Sequence, residues 1–348
     1  MRPLNVFFIF IIAPLVGLII ALNGFISYSQ AMNLPLLNTS ATVEGISEDV
    51  SLIRQALGLI NNAVNEQSGQ FMEQQSNLSS LAQQVDEHNR ISDQIYEDRI
   101  LAMLGPPVKE HKSKRVEIKV FQLNELGYRG YIAKLKLFDP TALRVVLAKD
   151  TLGEKETTLE AVKRTGAILG INGGGFYTET RDGKPYGIHM GNVMIDGKLI
   201  GVFNPYPENL FFAGINSKGK FIGGIFYELE HLMALDPWQG VSFVPVLIKG
   251  GLVRPIDKDW ELTKQPRTII GEYANGDIIM IEVDGRQNNW SAGVTLERLL
   301  EKLVELGVKE AYNLDGGGSS TFVYDGKVLN RPSDGKPRPV VTNIVIYP

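Results

Sequence analysis

Three patterns of hydrophobic and polar positions divide the chain. From Leu4 to Leu22 the residues are almost wholly apolar, and no charge occurs between Arg2 and Glu44. Nineteen helical residues rise roughly 28 Å, close to the hydrocarbon thickness of a bilayer. Arg2 and the amino terminus carry the only nearby positive charge, so residues 1–33 read as a transmembrane signal anchor with a cytoplasmic N-terminus and the remainder exported. The alternative is a cleaved signal peptide, because Ser29-Gln30-Ala31 loosely resembles a small-residue cleavage site.

Residues 42–104 follow a seven-residue repeat. Val43, Val50, Leu57, Val64, Phe71, Leu78 and Val85 share one heptad position. Ile46, Ile53, Ile60, Gln67, Gln74, Leu81, His88 and Ile95 share the position three further on. An apolar a/d seam of this length predicts a coiled-coil stalk and hence a homo-oligomer, with Gln67, Gln74 and His88 as register-setting polar seam residues. The β-branched seam leans toward a trimer over a dimer. The other reading is an intramolecular helical hairpin, although no mid-point turn is visible. Gly105-Pro106-Pro107 ends the helix, and residues 105–115 read as a charged linker.

From residue 116 to 348 the period changes from helical to two. Val116 to Leu123, Tyr131 to Phe138 and Leu143 to Ala148 read as strands. Thr158 to Thr165 reads as a short helix leading into a buried strand from Ala167 to Asn172. Asn275-Gly276 and Asp325-Gly326, each between apolar runs, predict hairpins. Leu296, Leu299, Leu300, Leu303 and Leu306 form one face of a helix capped by Thr295 at its start and Gly307 at its end. Mixed strands with segregated helices predict an α+β domain.

Composition narrows the chemistry. There is no cysteine, which excludes disulfides, thiolate metal sites and cysteine nucleophiles. Four histidines make a poor zinc site, and a net charge of −4 without basic blocks makes nucleic acid a poor candidate partner, so none is expected. Three apolar strands run into glycine clusters bearing polar side chains: Asn172-Gly173-Gly174-Gly175-Phe176, Asp284-Gly285-Arg286 and Asp315-Gly316-Gly317-Gly318-Ser319-Ser320-Thr321. Glycine after a strand admits close backbone approach by a ligand, and successive N–H groups in such a turn suit anionic oxygen. The last cluster is no P-loop, since the Gly-Lys-Ser/Thr ending is missing. No serine lies in a Gly-x-Ser-x-Gly elbow.

The ordered set Ile-Asn-Gly-Gly-Gly-Phe-Tyr (171–177), Pro-Val-Leu-Ile-Lys-Gly-Gly (245–251), Pro-Arg-Thr (266–268), Val-Asp-Gly-Arg-Gln (283–287), Ser-Ala-Gly-Val-Thr-Leu (291–296), Asn-Leu-Asp-Gly-Gly-Gly-Ser-Ser-Thr (313–321) and Asn-Arg-Pro-Ser-Asp-Gly (330–335) resembles the phosphodiester glycosidase family. That is the domain type of the "uncovering" N-acetylglucosamine-1-phosphodiester glycosidase. The resemblance covers about residues 115–348 and excludes the anchor and stalk. It implies hydrolysis of a sugar 1-phosphodiester at the anomeric carbon, and the anchor, stalk and lack of cysteine fit a membrane-anchored bacterial member acting on an exported or cell-surface glycan.

Such chemistry needs anion binding, a base for water and negative charge near an oxocarbenium-like centre. On that resemblance Asp315 and Asp284 are the candidate catalytic carboxylates, and Asn172 and Thr295 would orient sugar hydroxyls or water. Arg267, then Arg286, would grip the phosphate with backbone N–H groups of Gly316, Gly317, Gly318, Ser319 and Ser320. Phe176 would stack on the sugar, and Arg331 completes the basic set. Asp284 or Asp315 could instead hold calcium. Each assignment has a structural rival: Arg267 and Arg331 as partners of the aspartates, Thr295 as a cap, Asp284 as a buried hydrogen-bond hub, and His189 as a loop residue rather than an acid. The competing functions are a non-catalytic glycan-phosphate binding module on a stalk, and a structural protein of a surface or phage assembly.

Overall fold

The alternation in the third region builds a large antiparallel sheet that buries both of its faces. The computed structural model describes residues 39–205, 210–256, 258–261 and 263–348. The expected anchor, 1–33, lies outside them, and no described helix is long and apolar enough to cross a membrane. Eight strands form the large sheet in the order Lys109–Lys112, Val116–Glu125, Tyr128–Leu137, Ile278–Val283, Arg267–Tyr273, Val308–Leu314, Val246–Lys249 and Leu252–Val253. The charged stretch expected as linker therefore contributes an edge strand, Lys109–Lys112, paired antiparallel with Val116–Glu125. An edge strand needs only backbone partners on one side, so its charged side chains stay in water.

Successive residues in the central strands enter different cores. Ile269, Ile279, Ile281 and Val283 face one side, where Leu296, Leu299 and Leu303 of the helix Leu296–Glu305 cover them. Ile270, Ile278, Met280 and Leu314 face the other, against two five-stranded sheets. One of these runs Lys327–Val328, Phe322–Tyr324, Leu169–Asn172, Thr342–Ile346, Leu143–Leu147; the other runs Phe221–Gly224, Phe211–Asn216, Pro237–Phe243, Met194–Ile195, Lys198–Leu199. Every described strand pairing is antiparallel. Helices on one face of an antiparallel sheet make the α+β class.

Local signals account for the element ends. The helix Thr158–Thr165 opens with a capping box, Thr157 and Glu160 exchanging side-chain and backbone hydrogen bonds, and closes on Gly166 at φ 71°. The Asn275-Gly276 and Asp325-Gly326 turns join antiparallel strands as expected.

Residues Thr39–Leu104 form one uninterrupted helix of 66 residues, which overturns the hairpin alternative. The chain divides into two compact units, 1–84 and 85–348. Within the first, the seam residues Leu57, Val64, Phe71 and Leu78 are all more than half exposed. Within the second, the last turns of the helix join the domain: Ile100 is fully buried against Phe121 and Leu299, and Glu97 pairs with Lys134 at 3.0 Å and with Lys119. The folded domain thus begins before residue 105.

Candidate active site

Asp315 leaves the strand Val308–Leu314 on the edge of a tight turn. Gly316 is extended, and Gly317–Ser319 make a single 3-10 turn. Gly317 has φ +60°, and a Cβ there would lie 3.0 Å from Nη2 of Arg286. A Cβ on Gly318 would collide with Nη2 of Arg338 and with Asp334, which Arg338 holds at 2.8 Å. These glycines let two guanidinium groups close on the backbone. Burial pushes the Asp315 carboxyl up to about 6, against the Ser319 hydroxyl, the charge of Arg338 and the Gly316 amide, which favour the anion. The result is a half-buried acid that changes protonation near neutral pH, flanked by cations.

The floor of the turn is a set of buried polar side chains. Asn172, at the end of the strand Leu169–Asn172, is fully buried. Its Nδ2 donates to the Asp315 carbonyl at 2.6 Å, while its Oδ1 accepts from Thr268 Oγ1 at 2.9 Å and Thr321 N at 3.2 Å. Thr268 Oγ1 also lies 3.2 Å from Ser320 Oγ. Asn172 is thus a strut beneath Asp315, with its amide engaged inside the protein rather than turned toward sugar or water.

A second hub lies behind it. Asp284 is 1% exposed. Its Oδ2 accepts from Trp290 Nε1 at 2.7 Å, and its Oδ1 from Arg331 N at 2.8 Å and Asn330 Nδ2 at 3.1 Å. Burial raises its pKa despite these donors. Arg331 and Arg129 both lie over the Trp290 ring, at 3.6 and 4.4 Å from its centroid. Both guanidinium groups are held against the indole by its π-system.

The structure redistributes several expected roles. Arg267 is 3% exposed and turned to the helix side of the sheet, donating to the Thr263 carbonyl at 2.9 Å and, more weakly, to those of Val294 and Trp260. It anchors loops and does not offer its fork to a phosphate. Burial, aided by the charge of Arg286, lowers its pKa to about 10. Arg286 is exposed; its Nε donates to Gln265 at 2.8 Å, leaving its terminal nitrogens over Gly317. The turn itself offers fewer N–H groups than expected: Gly317, Ser319 and Ser320 donate to Pro266, Gly316 and Gly317 carbonyls. Thr295 caps its helix, accepting from Arg298 N at 3.2 Å. Phe176 is half-buried at the base of the hairpin Phe176–Arg181/Lys184–His189, opposite His189. His189 donates Nδ1–H to the Gly191 carbonyl at 2.8 Å, and burial lowers its pKa.

A calcium site does not fit these carboxylates. The Asp284 oxygens face three N–H donors, an environment that disfavours a cation, and Asp315 sits in the field of Arg338. Among the described residues, no group of three or more His, Asp or Glu side chains is arranged to hold a metal ion.

Comparison with known proteins gives the family of the chain. A family model described as phosphodiester glycosidase matches residues 165–347 of the 348. The chain belongs to that family. The N-acetylglucosamine-1-phosphodiester alpha-N-acetylglucosaminidase of Bos taurus is 30% identical over 196 residues, which is 52% of this chain and 35% of its own. The Mus musculus protein of the same name is 27% identical over 251 residues, 66% of this chain and 46% of its own. This chain therefore spans less than half the length of these curated relatives. The catalytic domain of the zebrafish N-acetylglucosamine-1-phosphodiester alpha-N-acetylglucosaminidase, auto-inhibited by its pro-peptide, shares the fold. It gives a TM-score of 0.56 at 24% identity over 70% of this chain and 87% of that one.

Within this phosphodiester glycosidase domain, sequence reasoning missed Glu282, Asn330, Trp290 and Arg338. Two of them left a signal. Glu282 is the one acidic residue in the run Ile278–Val283, all of which is buried. Asn330 opens the Asn-Arg-Pro-Ser-Asp-Gly segment.

Proposed function

We propose that this domain hydrolyses a sugar 1-phosphodiester at the anomeric carbon, with N-acetylglucosamine as the sugar. The observation that carries the reading is the Asp315 carboxyl, poised near pH 6 beside a glycine turn on which Arg286 and Arg338 converge. Water attacks the anomeric carbon and gives its proton to ionised Asp315. The bond from that carbon to the bridging oxygen breaks, and its electrons leave with the phosphate monoester. Arg286 and Arg338 stabilise the phosphate charge, where paired guanidinium donors match its oxygens. Because the leaving group is already a weak base, no strong general acid is required. Phe176 supplies a face for the sugar ring.

The rest of the chain suits a tethered enzyme of the bacterial surface. The apolar segment 4–22 anchors it with the domain on the exported side. The exposed seam of Leu57, Val64, Phe71 and Leu78 joins copies of the chain, since an apolar stripe of that length is not left in water.

The test is release of N-acetylglucosamine from a methyl-phosphate-linked N-acetylglucosamine by the full chain, beside Asp315→Asn. Release that collapses in the variant supports the enzyme. If neither protein releases sugar while both retain the phosphodiester in an equilibrium binding assay, the domain is a glycan-phosphate binding module instead.

A further inference from the structure

Glu282 and Asp284 share one amide. Asn330 Nδ2 lies 2.9 Å from Glu282 Oε1 and 3.1 Å from Asp284 Oδ1. That puts the two carboxylates within about 6 Å, where like charges oppose joint ionisation. The same nitrogen lies 3.1 Å from the Ser320 carbonyl, so its two hydrogens are shared among three acceptors, and Asn330 Oδ1 accepts from Phe322 N at 2.8 Å. One side chain therefore ties the pair to the end of the Asp315 turn.

The surroundings decide which carboxylate keeps a proton. Asp284 receives three N–H donors and lies in the field of the Arg331 charge. Glu282 is fully buried, receives Asn330 alone, and its Oε2 is buried without a partner. Its cross-strand neighbours are Tyr131 and Thr268, both neutral, and among the described residues the one charge acting on it is that of Asp284. An ionised carboxylate with one bare oxygen is not stable in such a place.

We propose that Glu282 is a positioning residue that works as a neutral carboxylic acid. It carries the one proton the Glu282–Asp284 pair retains, and its Oε1 fixes the Asn330 amide that clasps Asp284 to Ser320. Desolvation, then the charge of Asp284, holds its pKa well above the ordinary glutamate value. The sign follows. A carboxyl whose folded pKa is raised contributes stability that is complete at acid pH and is lost as pH climbs through the folded pKa. Ionised Glu282 would face Asp284 across one amide and loosen the clasp, so the same ionisation gives the activity an alkaline decline.

Part of the test rests on the proposed hydrolysis, so it has two readouts on the full chain. Thermal midpoints of wild type, Glu282→Gln and Glu282→Met are measured between pH 5 and pH 9, together with sugar release. The wild-type midpoint should fall with pH more steeply than that of Glu282→Gln, which cannot ionise. Glu282→Gln should keep turnover within about twofold at pH 6 and lose the alkaline decline. Glu282→Met has similar volume but no acceptor for Asn330, and should lose roughly five- to tenfold in kcat with KM unchanged, the worth of one hydrogen bond. Parallel midpoint curves for wild type and Glu282→Gln would overturn the proton assignment. Full kcat in Glu282→Met would overturn the positioning role. If no protein turns over, the hydrolysis reading fails, and the midpoint curves still decide the protonation of Glu282. If Glu282→Met does not fold, the Gln comparison alone decides.

Discussion

Replacing Asp315 by Asn separates its chemical role from its cost to the fold. The carboxyl is raised from 3.8 to about 6 by burial. That is roughly two pKa units, or about 3 kcal/mol by linkage at 1.36 kcal/mol per unit. Its folded pKa lies above the unfolded one, so stability is complete below pH 3.8 and is lost as pH rises through about 6. Asparagine keeps the shape and cannot ionise. Urea denaturation of both full-length proteins at pH 4 and pH 7 should show the variant gaining about 2.4 kcal/mol on wild type between the two, because a little of the loss has already occurred at pH 4. Glu282 titrates in both and cancels from the difference. Turnover should fall by roughly 10²- to 10⁴-fold, the usual worth of a positioned acid or base. A stability difference flat with pH would refute the buried-acid argument, and wild-type turnover in the variant would remove Asp315 from the chemistry.

Asn172→Ala removes three hydrogen bonds and leaves the Thr321 amide without its acceptor; a loss of about 3 kcal/mol in urea unfolding is expected, at the upper end for one substitution. Arg286→Ala should raise KM or lower kcat roughly tenfold or more with unfolding within about 0.5 kcal/mol of wild type, whereas Arg267→Ala should destabilise by about 2 kcal/mol through its unpaired loop carbonyls. Equal stability losses for the two arginines would contradict the faces assigned to them. Ile60→Asp, on the exposed seam, should convert the full chain to a smaller species in sedimentation velocity; an unchanged sedimentation coefficient would mean that the seam joins nothing.

Much of the fold was legible because its signals are local. Alternation set the strands, Thr295 before a leucine face set a helix start, and Asn275-Gly276 and Asp325-Gly326 set their turns. The edge strand Lys109–Lys112 was not, because its exposed charged side chains carry no alternation and its place is fixed by backbone pairing alone. The glycine clusters at 172–175, 284–286 and 315–321 indicated which loops meet, but not which of their backbone groups are already bonded within the protein. That the N–H groups of Gly317, Ser319 and Ser320 are already bonded to the carbonyls of Pro266, Gly316 and Gly317 is a matter of backbone geometry, which composition does not reveal.

The turning of Arg267 toward the helices has a sharper cause, and it leaves Arg286 and Arg338 as the guanidinium groups beside the turn. Arg267 and Thr268 are successive residues of one strand, so one of them must face the helices when the other faces the small sheets. Thr268 pairs across the ladder with Leu314 and Glu282, and its hydroxyl reaches Asn172 and Ser320. The parity that puts this hydroxyl under the turn sends the guanidinium of Arg267 to the Thr263, Val294 and Trp260 carbonyls. A Pro-Arg-Thr motif read without that parity favours the arginine, because its charge suits phosphate. Cations that reach the turn must come from loops free of the ladder, which Arg286 at φ 63° and Arg338 beside Asp334 satisfy. A Thr268→Val substitution tests this directly: it keeps the shape of the strand and removes the hydroxyl from Asn172 and Ser320. It should lower kcat by roughly tenfold while costing about 1 to 2 kcal/mol of stability. Unchanged turnover would show that the buried network beneath Asp315 does not set its position.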